Sequence, residues 1–516
     1  MKPSAFGAAV FLYLLAITVL RDSPYSMFGT VYGIRTALLM AALPLLAAAV
    51  ARTPRALAIA VFVASLGPMH TISSAVVLLG IVWLLVRAQL RRGEDWRMHW
   101  SRLRRGATGA LLVFIAYLLL LWLLRLGDGS DMYSFPIFSA GWLTVPLWIA
   151  LLGMLPFTAE DIAWLRARVL LAAAALAAVI LVFPLLAGAP QLYLSVLQPL
   201  LRVYPDLFGI DTPKFPLPDM QQPYDFNWAS LASAHYSSLL LAVFGVGLLI
   251  HAVSMRNSRW LLLSIAALAA SLMGENLHAV PGLLLGTLLA TIALTKAIQL
   301  RMHARVFAAV TLLVLGLGTA ALIGTLYSGG GPYADTRKAV LLHASLEVVV
   351  NEPFRALFGE GPGTHGSKAA DIRLPLRYRE MDSNLPQRLN TVNPRYAVVL
   401  DKVGTVPQFT PPYRVQRSST MGRTMSGSIA AVREFGILGF GLATIVLYLL
   451  LRRLYRACAT GCVAGRSWAA AALLLLTTVC ITALFRHYIE YPDIMISCGM
   501  LLLLAKSPAT SIAEAG

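Results

Sequence analysis

The stretch RKAVLLHASLEVVVNEPFRALFGEGPGTHG, from Arg337 to Gly366, lies in the one long polar interval of an otherwise apolar chain. The interval runs from Tyr327 to Arg433, and up to Arg423 it holds thirteen Lys or Arg against eight Asp or Glu. Loops without secondary structure rarely exceed about 15 residues in compact domains. Because this interval is far longer, we expect a folded domain outside the membrane that carries the chemistry of the protein.

The rest of the chain has the composition of an integral membrane protein. Of its 516 residues, 58% are hydrophobic and only 13% are charged, whereas ordinary soluble domains carry about 25% charged residues. The net charge of +18 does not by itself predict a nucleic-acid partner, because membrane proteins accumulate basic residues in their cytoplasmic loops. No cleavable signal peptide is predicted, since residues 1–20 have the pattern of a first span and no small-residue cleavage site precedes Arg21.

Fourteen apolar runs predict an all-α, polytopic bundle with about 14 membrane spans. A spanning helix needs about 20 apolar residues, and shorter runs cross where the bilayer thins or where neighbouring helices cover their ends. The runs lie at residues 5–20, 36–51, 55–68, 71–87, 107–126, 137–156, 168–188, 229–252, 260–274, 280–298, 306–326, 435–451, 468–485 and 494–506.

Basic residues in the short connections predict the orientation. With the N-terminus inside, nearly every basic connection falls on the cytoplasmic side, as the positive-inside rule requires. Both termini are then cytoplasmic and the large loop is external. The basic connections include Arg52 with Arg55, the segment 87–105, Arg166 with Arg168, Arg256 with Arg259, the segment 296–305 and the segment 452–466. The predicted parts are membrane helices 1–11 (1–326), a periplasmic catalytic loop domain (327–434), and membrane helices 12–14 with a cytoplasmic tail (435–516).

Arginines in the large loop have two interpretations. Any single one is explained by a basic surface of a soluble cap near anionic headgroups, whereas the group as a whole predicts a site for an anionic ligand. The run from Ala334 to Phe354 has apolar residues at helical spacing, and Arg337 lies in the first turn of that predicted helix. A cation there opposes the helix dipole, so Arg337 is better explained as a ligand to an anion. The glycines at 359–363 let backbone amides approach a ligand closely, and guanidinium groups suit phosphate oxygens. The other arginines of this group are Arg373, Arg377, Arg379, Arg388, Arg395, Arg414, Arg417 and Arg423.

Polar residues near the ends of the spans have two interpretations each. Glu275, in MGENLHAVPG, belongs either to a solvated hairpin turn or to a cavity below the large loop. His235 is either a buried hydrogen-bonding group or part of a site, and Asn227 is either a polar cap of a helix or a substrate ligand. The acidic pair Asp128 and Asp131 has the residue type of a metal site or a base, but its spacing is loose and no His accompanies it. We predict no metal and no other cofactor.

The order of these signals resembles the O-antigen ligase and O-antigen polymerase superfamily of bacterial envelope glycosyltransferases. The resemblance covers roughly residues 225–505 and rests on four pieces. These are DFNWASLASAHY, in which Asn227 opens a span; the hairpin MGENLHAVPG; the helix led by Arg337 that runs into LFGEGPGTHG; and REFGILGF (433–440), which enters a span. The resemblance implies a membrane fold of the type-C glycosyltransferase kind, a polyprenyl-pyrophosphate-linked glycan donor, and neither a nucleotide sugar nor a metal.

Two positions depart from the pattern of this superfamily. The hairpin usually carries a Ser-Arg pair, where this chain has Glu275 and Asn276. Ligases place a His about nine residues before the Glu of the closing motif, and this chain has Met425 there. His365 is the residue that would replace it. The missing His favours a polymerase over a ligase.

The resemblance therefore implies an inner-membrane polymerase that transfers a growing glycan onto a lipid-linked repeat unit, for O-antigen, capsule or exopolysaccharide. The alternatives are a ligase that transfers glycan to lipid A core and, from another class, a transporter or flippase. Expected partners are the polyprenyl-linked substrates, membrane lipids and a chain-length regulator or flippase, with no nucleic acid. Expected catalytic residues are Arg337, Arg423, His365 and Glu434. Expected substrate-binding residues are Arg373, Arg377, Arg379, Glu360, Glu275, Asn227 and His235.

Overall fold

The computed structural model describes residues 2–22, 43–44, 46, 53–66, 107–125, 142–155, 157–187, 235–255, 258–272, 280–298, 351–362, 427–460, 463–483 and 492–505. Over these residues the regular structure is helical and no strand is present, which confirms the all-α prediction for this part of the chain. The helices are α1 (Pro3–Asp22), α2 (Pro54–Leu66), α3 (Ala107–Arg125), α4 (Thr144–Met154), α5 (Ala159–Ala187), α6 (His235–Met255), α7 (Ser258–Leu272), α8 (Val280–Ile298), α9 (Pro353–Phe358), α10 (Gly427–Thr460), α11 (Val463–Thr482) and α12 (Pro492–Leu504).

Every one of these helices except α9 overlaps a predicted apolar run. The runs at 71–87 and 306–326, and nearly all of 36–51, lie outside the described residues. Within the described residues, three helical segments are long and apolar enough to cross a membrane by length and composition. They are Ala159–Val182, Ala430–Ala459 and Gly465–Thr482.

The helix α11 forms the centre of the bundle. It packs against α6, α8, α10 and α12. Every side chain from Ser467 to Val479 is buried, and Ala471 lies against Gly247 of α6, where an added Cβ would be 2.9 Å from the Cβ of Ala471. A second group of helices packs around α5 and consists of α1, α2 and α7. Two further helices, α6 and α12, contact both α5 and α11. The described helices therefore pack into one connected bundle.

Glycines on α8 produce the closest of these contacts. Gly282 and Gly286 are four residues apart and face α11. A Cβ added at Gly282 would lie 2.7 Å from the Cα of Thr478, and one added at Gly286 would lie 2.9 Å from the Cα of Leu474. Small residues at this spacing allow helices in lipid to associate by van der Waals contact, because apolar tails give no hydrophobic driving force between helices.

Buried hydroxyl groups in the bundle bond to helix carbonyls. The Ser264 hydroxyl donates to the carbonyl oxygen of Gly245 across the α6–α7 contact, at 2.7 Å. The Thr478 hydroxyl donates to the carbonyl oxygen of Leu474 one turn earlier in α11, also at 2.7 Å. An unsatisfied hydroxyl in an apolar interior is costly. These bonds explain how Ser and Thr are accommodated among apolar side chains.

One end of the bundle, which we call the Arg166 end, gathers several helix termini. The Arg166 guanidinium on α5 donates two hydrogen bonds to the carbonyl oxygen of Leu504 at the C-terminus of α12, at 3.1 and 2.7 Å. Arg55, at the start of α2, lies 3.3 Å from Asp161 at the start of α5. The guanidinium of Arg168 lies 5.7 Å from the centre of the Phe6 ring, near the start of α1. The N-terminal ends of α1, α2 and α5 thus meet the C-terminal end of α12.

A reciprocal cap fixes the start of α5 at this end. The backbone amide of Asp161 donates to the Thr158 hydroxyl, and the backbone amide of Thr158 donates to the Asp161 carboxylate, each at 3.1 Å. This is a capping box with Asp in the place that Glu usually takes. Because Asp161 also faces Arg55, the same carboxylate joins the cap to the neighbouring helix.

The contact between α8 and α11 gives a direct test of the packing. We expect Gly282→Ala to lower the melting temperature in detergent, because its new methyl group meets the Thr478 backbone and the helices must separate. Overpacking of this kind costs about 1–3 kcal/mol. The matched control is Gly441→Ala on α10, whose new methyl group has no atom within 4 Å. Equal melting temperatures for the two variants would contradict the close contact.

Candidate functional site

Two of the expected site residues, Glu360 and Glu434, lie in the described residues with their side chains. His235 is the first residue of α6, and the structure describes its backbone only. The other expected residues lie outside the described residues, as do Asp128, Asp131 and residues 334–350 of the expected amphipathic helix. They are Arg337, Arg423, His365, Arg373, Arg377, Arg379, Glu275 and Asn227.

Glu360 and Glu434 belong to two segments that cross each other. The first, FGEG (358–361), follows α9, and the second, REFG (433–436), lies within α10. The backbone amide of Glu360 donates to the carbonyl oxygen of Arg433 at 2.8 Å, and that of Gly361 donates to the carbonyl oxygen of Glu434 at 3.0 Å. Residues that are more than seventy positions apart are thus joined by a short backbone ladder.

Two glycines make this crossing possible. Gly359 ends α9 with φ 79° and ψ 175°, and Gly436 interrupts α10 with φ 70° and ψ 178°. This region of conformational space is essentially restricted to glycine. A Cβ on Gly359 would lie 2.5 Å from the backbone nitrogen of Gly436, and a Cβ on Gly436 would lie 2.5 Å from that of Gly359. The two backbones therefore touch where no side chain has room.

Gly436 also divides α10 into a short first arm and a long second arm. The first arm, 427–435, precedes the kink, and the second, 437–460, continues through the bundle. The predicted boundary between the loop domain and the last membrane helices, at 434/435, falls beside this kink. The chain that closes the large loop is thus already helical from Gly427 onward.

A buried ion pair fastens the crossing. Nη2 of Arg433 lies 2.7 Å from Oε1 of Glu360, and the two side chains are only 2% and 3% exposed. Two charges taken out of water lose several kcal/mol of solvation each, and their mutual attraction only roughly compensates. Loss of either partner is much more costly, because a buried charge is then left without compensation. The pair therefore acts chiefly to specify which segments meet.

Two aromatic side chains contact the crossing, one on α3 and one just before the start of α4. The Tyr117 hydroxyl on α3 lies 2.6 Å from the carbonyl oxygen of Phe435 and 3.3 Å from that of Phe358, so it bridges the two segments. The Phe435 ring meets the Trp142 ring edge to face, with centroids 4.7 Å apart. Gly439, one turn beyond the kink, leaves space for the Tyr117 ring.

The geometry bears on what each carboxylate can do. Glu360 is paired with the guanidinium of Arg433 and its side chain is only 3% exposed, so its carboxylate is engaged within the protein. The Glu434 residue is 1% exposed, and a general base must come within hydrogen-bond reach of the proton that it accepts. The arrangement is suited to fixing the two segments. Within the described part of the chain, no group of three or more His, Cys, Asp or Glu side chains could hold a metal ion.

Three residues of this cluster were not among the expected site residues: Arg433, Tyr117 and Trp142. The sequence does point to Arg433, because it is a charged residue beside a long apolar run, and such residues are usually functional. Tyr117 and Trp142 carried none, since each is an aromatic residue within or beside an apolar run and its partner is more than two hundred positions away.

A scan against protein-family models found no match to the chain, and a search of the curated proteins found none either.

The ion pair is tested with a double-mutant cycle on the free energy of unfolding. We expect Arg433→Met and Glu360→Leu each to cost about 3–5 kcal/mol, since each strands a buried charge. The double variant should cost clearly less than the sum. The control is Glu160→Gln, which breaks the Arg55–Glu160 pair of 3.6 Å, in which the Glu160 side chain is 88% exposed, and should cost about 1 kcal/mol at most. Additive costs for the buried pair would refute the coupling.

Proposed function

We propose that the protein is a bacterial inner-membrane glycan polymerase, similar to the O-antigen polymerase and ligase superfamily. It transfers a glycan chain from polyprenyl pyrophosphate onto a lipid-linked repeat unit. The observation that carries the proposal is the contact between FGEG and REFG through Glu360 and Arg433. These segments belong to two of the four sequence pieces on which the resemblance rests, and they are far apart in the chain.

The same contact supports a role for the large loop. Residues 363–426 leave the crossing after Pro362 and return to α10 at Gly427, so the ion pair closes this loop at its base. His365, Arg373, Arg377, Arg379 and Arg423 all lie in the closed part. A chain anchored at both ends loses less conformational freedom when its arginines converge on one ligand.

The proposed chemistry assigns a role to each charged group. The leaving group is a pyrophosphate that gains negative charge as its bond to C1 of the sugar breaks. Arg337 and Arg423, with part of the Arg373–Arg379 group, stabilise that charge, which is commonly the largest single term in catalysis. His365 accepts the proton of the acceptor hydroxyl, because Glu434 is 1% exposed and suits a positioning role in the crossing better than that of a general base. Direct displacement at C1 inverts its configuration, and no metal takes part.

The buried pair changes the proposed role of Glu360. The sequence suggested that Glu360 binds substrate, but a carboxylate that is 3% exposed and paired with Arg433 suits a positioning residue better. We propose that Glu360 and Arg433 set the geometry of the loop, and that the arginines within the loop bind the ligand.

The membrane topology that we propose has about 14 spans, cytoplasmic termini and an active site that faces the periplasm. The Arg166 end supports it, because Arg55, Arg166 and Arg168 come from two connections that the positive-inside rule assigns to one side. The structure brings these arginines together with the start of α1 and the end of α12.

The first experiment is an electrophoretic profile of lipid-linked and lipopolysaccharide glycans from a deletion strain. The proposal expects single repeat units to accumulate in place of a polymer ladder. Full-length polymer that remains on its polyprenyl carrier, together with bare lipid A core, would identify a ligase instead. A normal ladder in both fractions would refute both functions.

We expect Arg337→Ala to slow polymer formation from lipid-linked repeat units in reconstituted vesicles by about 100- to 1000-fold, which is the usual cost of losing one electrostatic stabiliser of a transition state. The matched control is Arg453→Ala, an exposed arginine on the long arm of α10, which should retain the wild-type rate. If an Arg337→Ala protein that inserts normally makes polymer at the wild-type rate, Arg337 has no catalytic role.

A further inference from the structure

The crossing of FGEG and REFG is tied to the middle of an apolar helix. Tyr117, which bridges both segments, is eight residues before Arg125, the last residue of α3. At 1.5 Å per residue it lies about 12 Å below that end. The whole of α3, with 19 residues, is about 28 Å long and matches a hydrocarbon layer of about 30 Å.

A second path through the bundle gives a similar depth. The Leu504 carbonyl marks the Arg166 end, and Ile496 is eight residues, or about 12 Å, above it. The Trp148 indole donates to the carbonyl oxygen of Ile496 at 3.1 Å. Trp142, which meets the Phe435 ring, lies just before the start of α4 and precedes Trp148 by six residues, or about 9 Å of helical rise. Phe435 is therefore about 21 Å from the Arg166 end, within a layer of about 30 Å.

The short helix α9 exposes apolar side chains at this level. Phe354 is 69% exposed and Leu357 is 44% exposed, although α9 packs against α10. On the second arm of α10, directly after the kink, Ile437 and Leu438 are 51% and 41% exposed. The charged residues at the start of α9, Glu352 and Arg355, form an ion pair, so they add no net charge to this surface.

We propose that α9 and the crossing lie inside the hydrocarbon layer, where Phe354 and Leu357 contact lipid acyl chains. Part of the loop that the sequence places wholly outside the membrane thus re-enters it. The inference rests on the proposed membrane topology and is independent of the glycan that is transferred. The Leu357 carbonyl lies against Gly436, the residue directly before Ile437 and Leu438 on a candidate spanning helix. The exposed apolar side chains of both segments therefore lie close together, and a face shared with a spanning helix points to lipid as the occupant.

The hydrogen bonding of the crossing meets the requirements of such a position. Non-helical backbone at membrane depth is tolerated only where protein surrounds it and its polar groups are bonded. The amides of Gly359, Glu360 and Gly361 donate to the carbonyl oxygens of Arg355, Arg433 and Glu434, respectively. The carbonyl oxygens of Phe358 and Phe435 face the Tyr117 hydroxyl. The charges of Glu360 and Arg433 are paired and buried, as charges at this depth usually are.

The test measures depth with nitroxide spin labels on the full-length protein in phosphatidylethanolamine–phosphatidylglycerol vesicles. Phe354→Cys and Leu357→Cys are labelled, and the signal of the unmodified protein is subtracted. Collision rates with oxygen, which concentrates in lipid, and with a water-soluble nickel chelate are compared. The lipid reference is Leu120→Cys on α3, a residue that is 55% exposed. The water reference is Glu160→Cys, whose native side chain is 88% exposed.

We expect the labels at 354 and 357 to collide preferentially with oxygen, as the label at 120 does. Preferential collision with nickel, as at 160, would overturn the inference by placing α9 in water. Labels shielded from both reagents would also overturn it, because protein, such as a second copy of the chain, would then cover this surface. A water-like signal at 120 would refute the membrane assignment of α3 and, with it, this inference. Each of these results leaves the polymerase assay to be judged separately.

Discussion

The structure around the candidate site depends on one constraint, which is that two backbones must touch at Gly359 and Gly436. Neither position has room for a side chain. The end of α9 and the kink in α10 are therefore held in direct backbone contact. The Arg433–Glu360 pair then selects the register, because only one alignment brings both buried charges together. Tyr117 and Trp142 both contact Phe435, and they link the junction to α3 and to the start of α4, respectively. Four helices are thus oriented by one small junction, and the base of the large loop is oriented with them.

A different principle holds the remainder of the bundle together. Around α11 the contacts consist of small residues and hydroxyl groups, as at Gly282, Gly286 and Thr478, with little charge. Such surfaces gain stability from close van der Waals contact, which is the main attraction left between helices in lipid. Among the described residues, the ion pairs and the charged hydrogen bonds between helices lie instead at the Arg166 end and at the crossing. The molecule therefore combines an apolar scaffold with a few charged junctions that determine how its parts meet.

Much of the helical architecture follows from the sequence, because an apolar run long enough to cross a bilayer has few alternatives to a helix. The runs at 107–126 and 280–298 correspond closely to α3 and α8. The crossing could not be predicted from apolar runs, and the reason is physical. Its partners, such as Glu360 and Arg433, are distant in the chain, and no local periodicity records a distant contact. The sequence predicts that the glycines near 360 form a turn that permits close approach, but what approaches them is another backbone segment of the same protein. The sequence predicts a catalytic role for Glu434. It does not predict that Glu434 is buried, because the burial depends on neighbours that the sequence alone does not identify.

The position of α11 has a consequence for how the chain is assembled during its synthesis. Polypeptides emerge from the N-terminus onward, and their parts generally fold in that order. Here the central helix is the second last of the described helices, and it is preceded in the chain by three of its four partners, α6, α8 and α10. Those three helices are made before the surface that joins them, so the glycine face of α8 has no partner until α11 has been synthesised. Trp148 likewise meets Ile496 only after α12 has been made. The bundle is therefore completed from its C-terminal end, as a late step of synthesis, and a ribosome that stalls before residue 463 would leave α6, α8 and α10 without their common central helix.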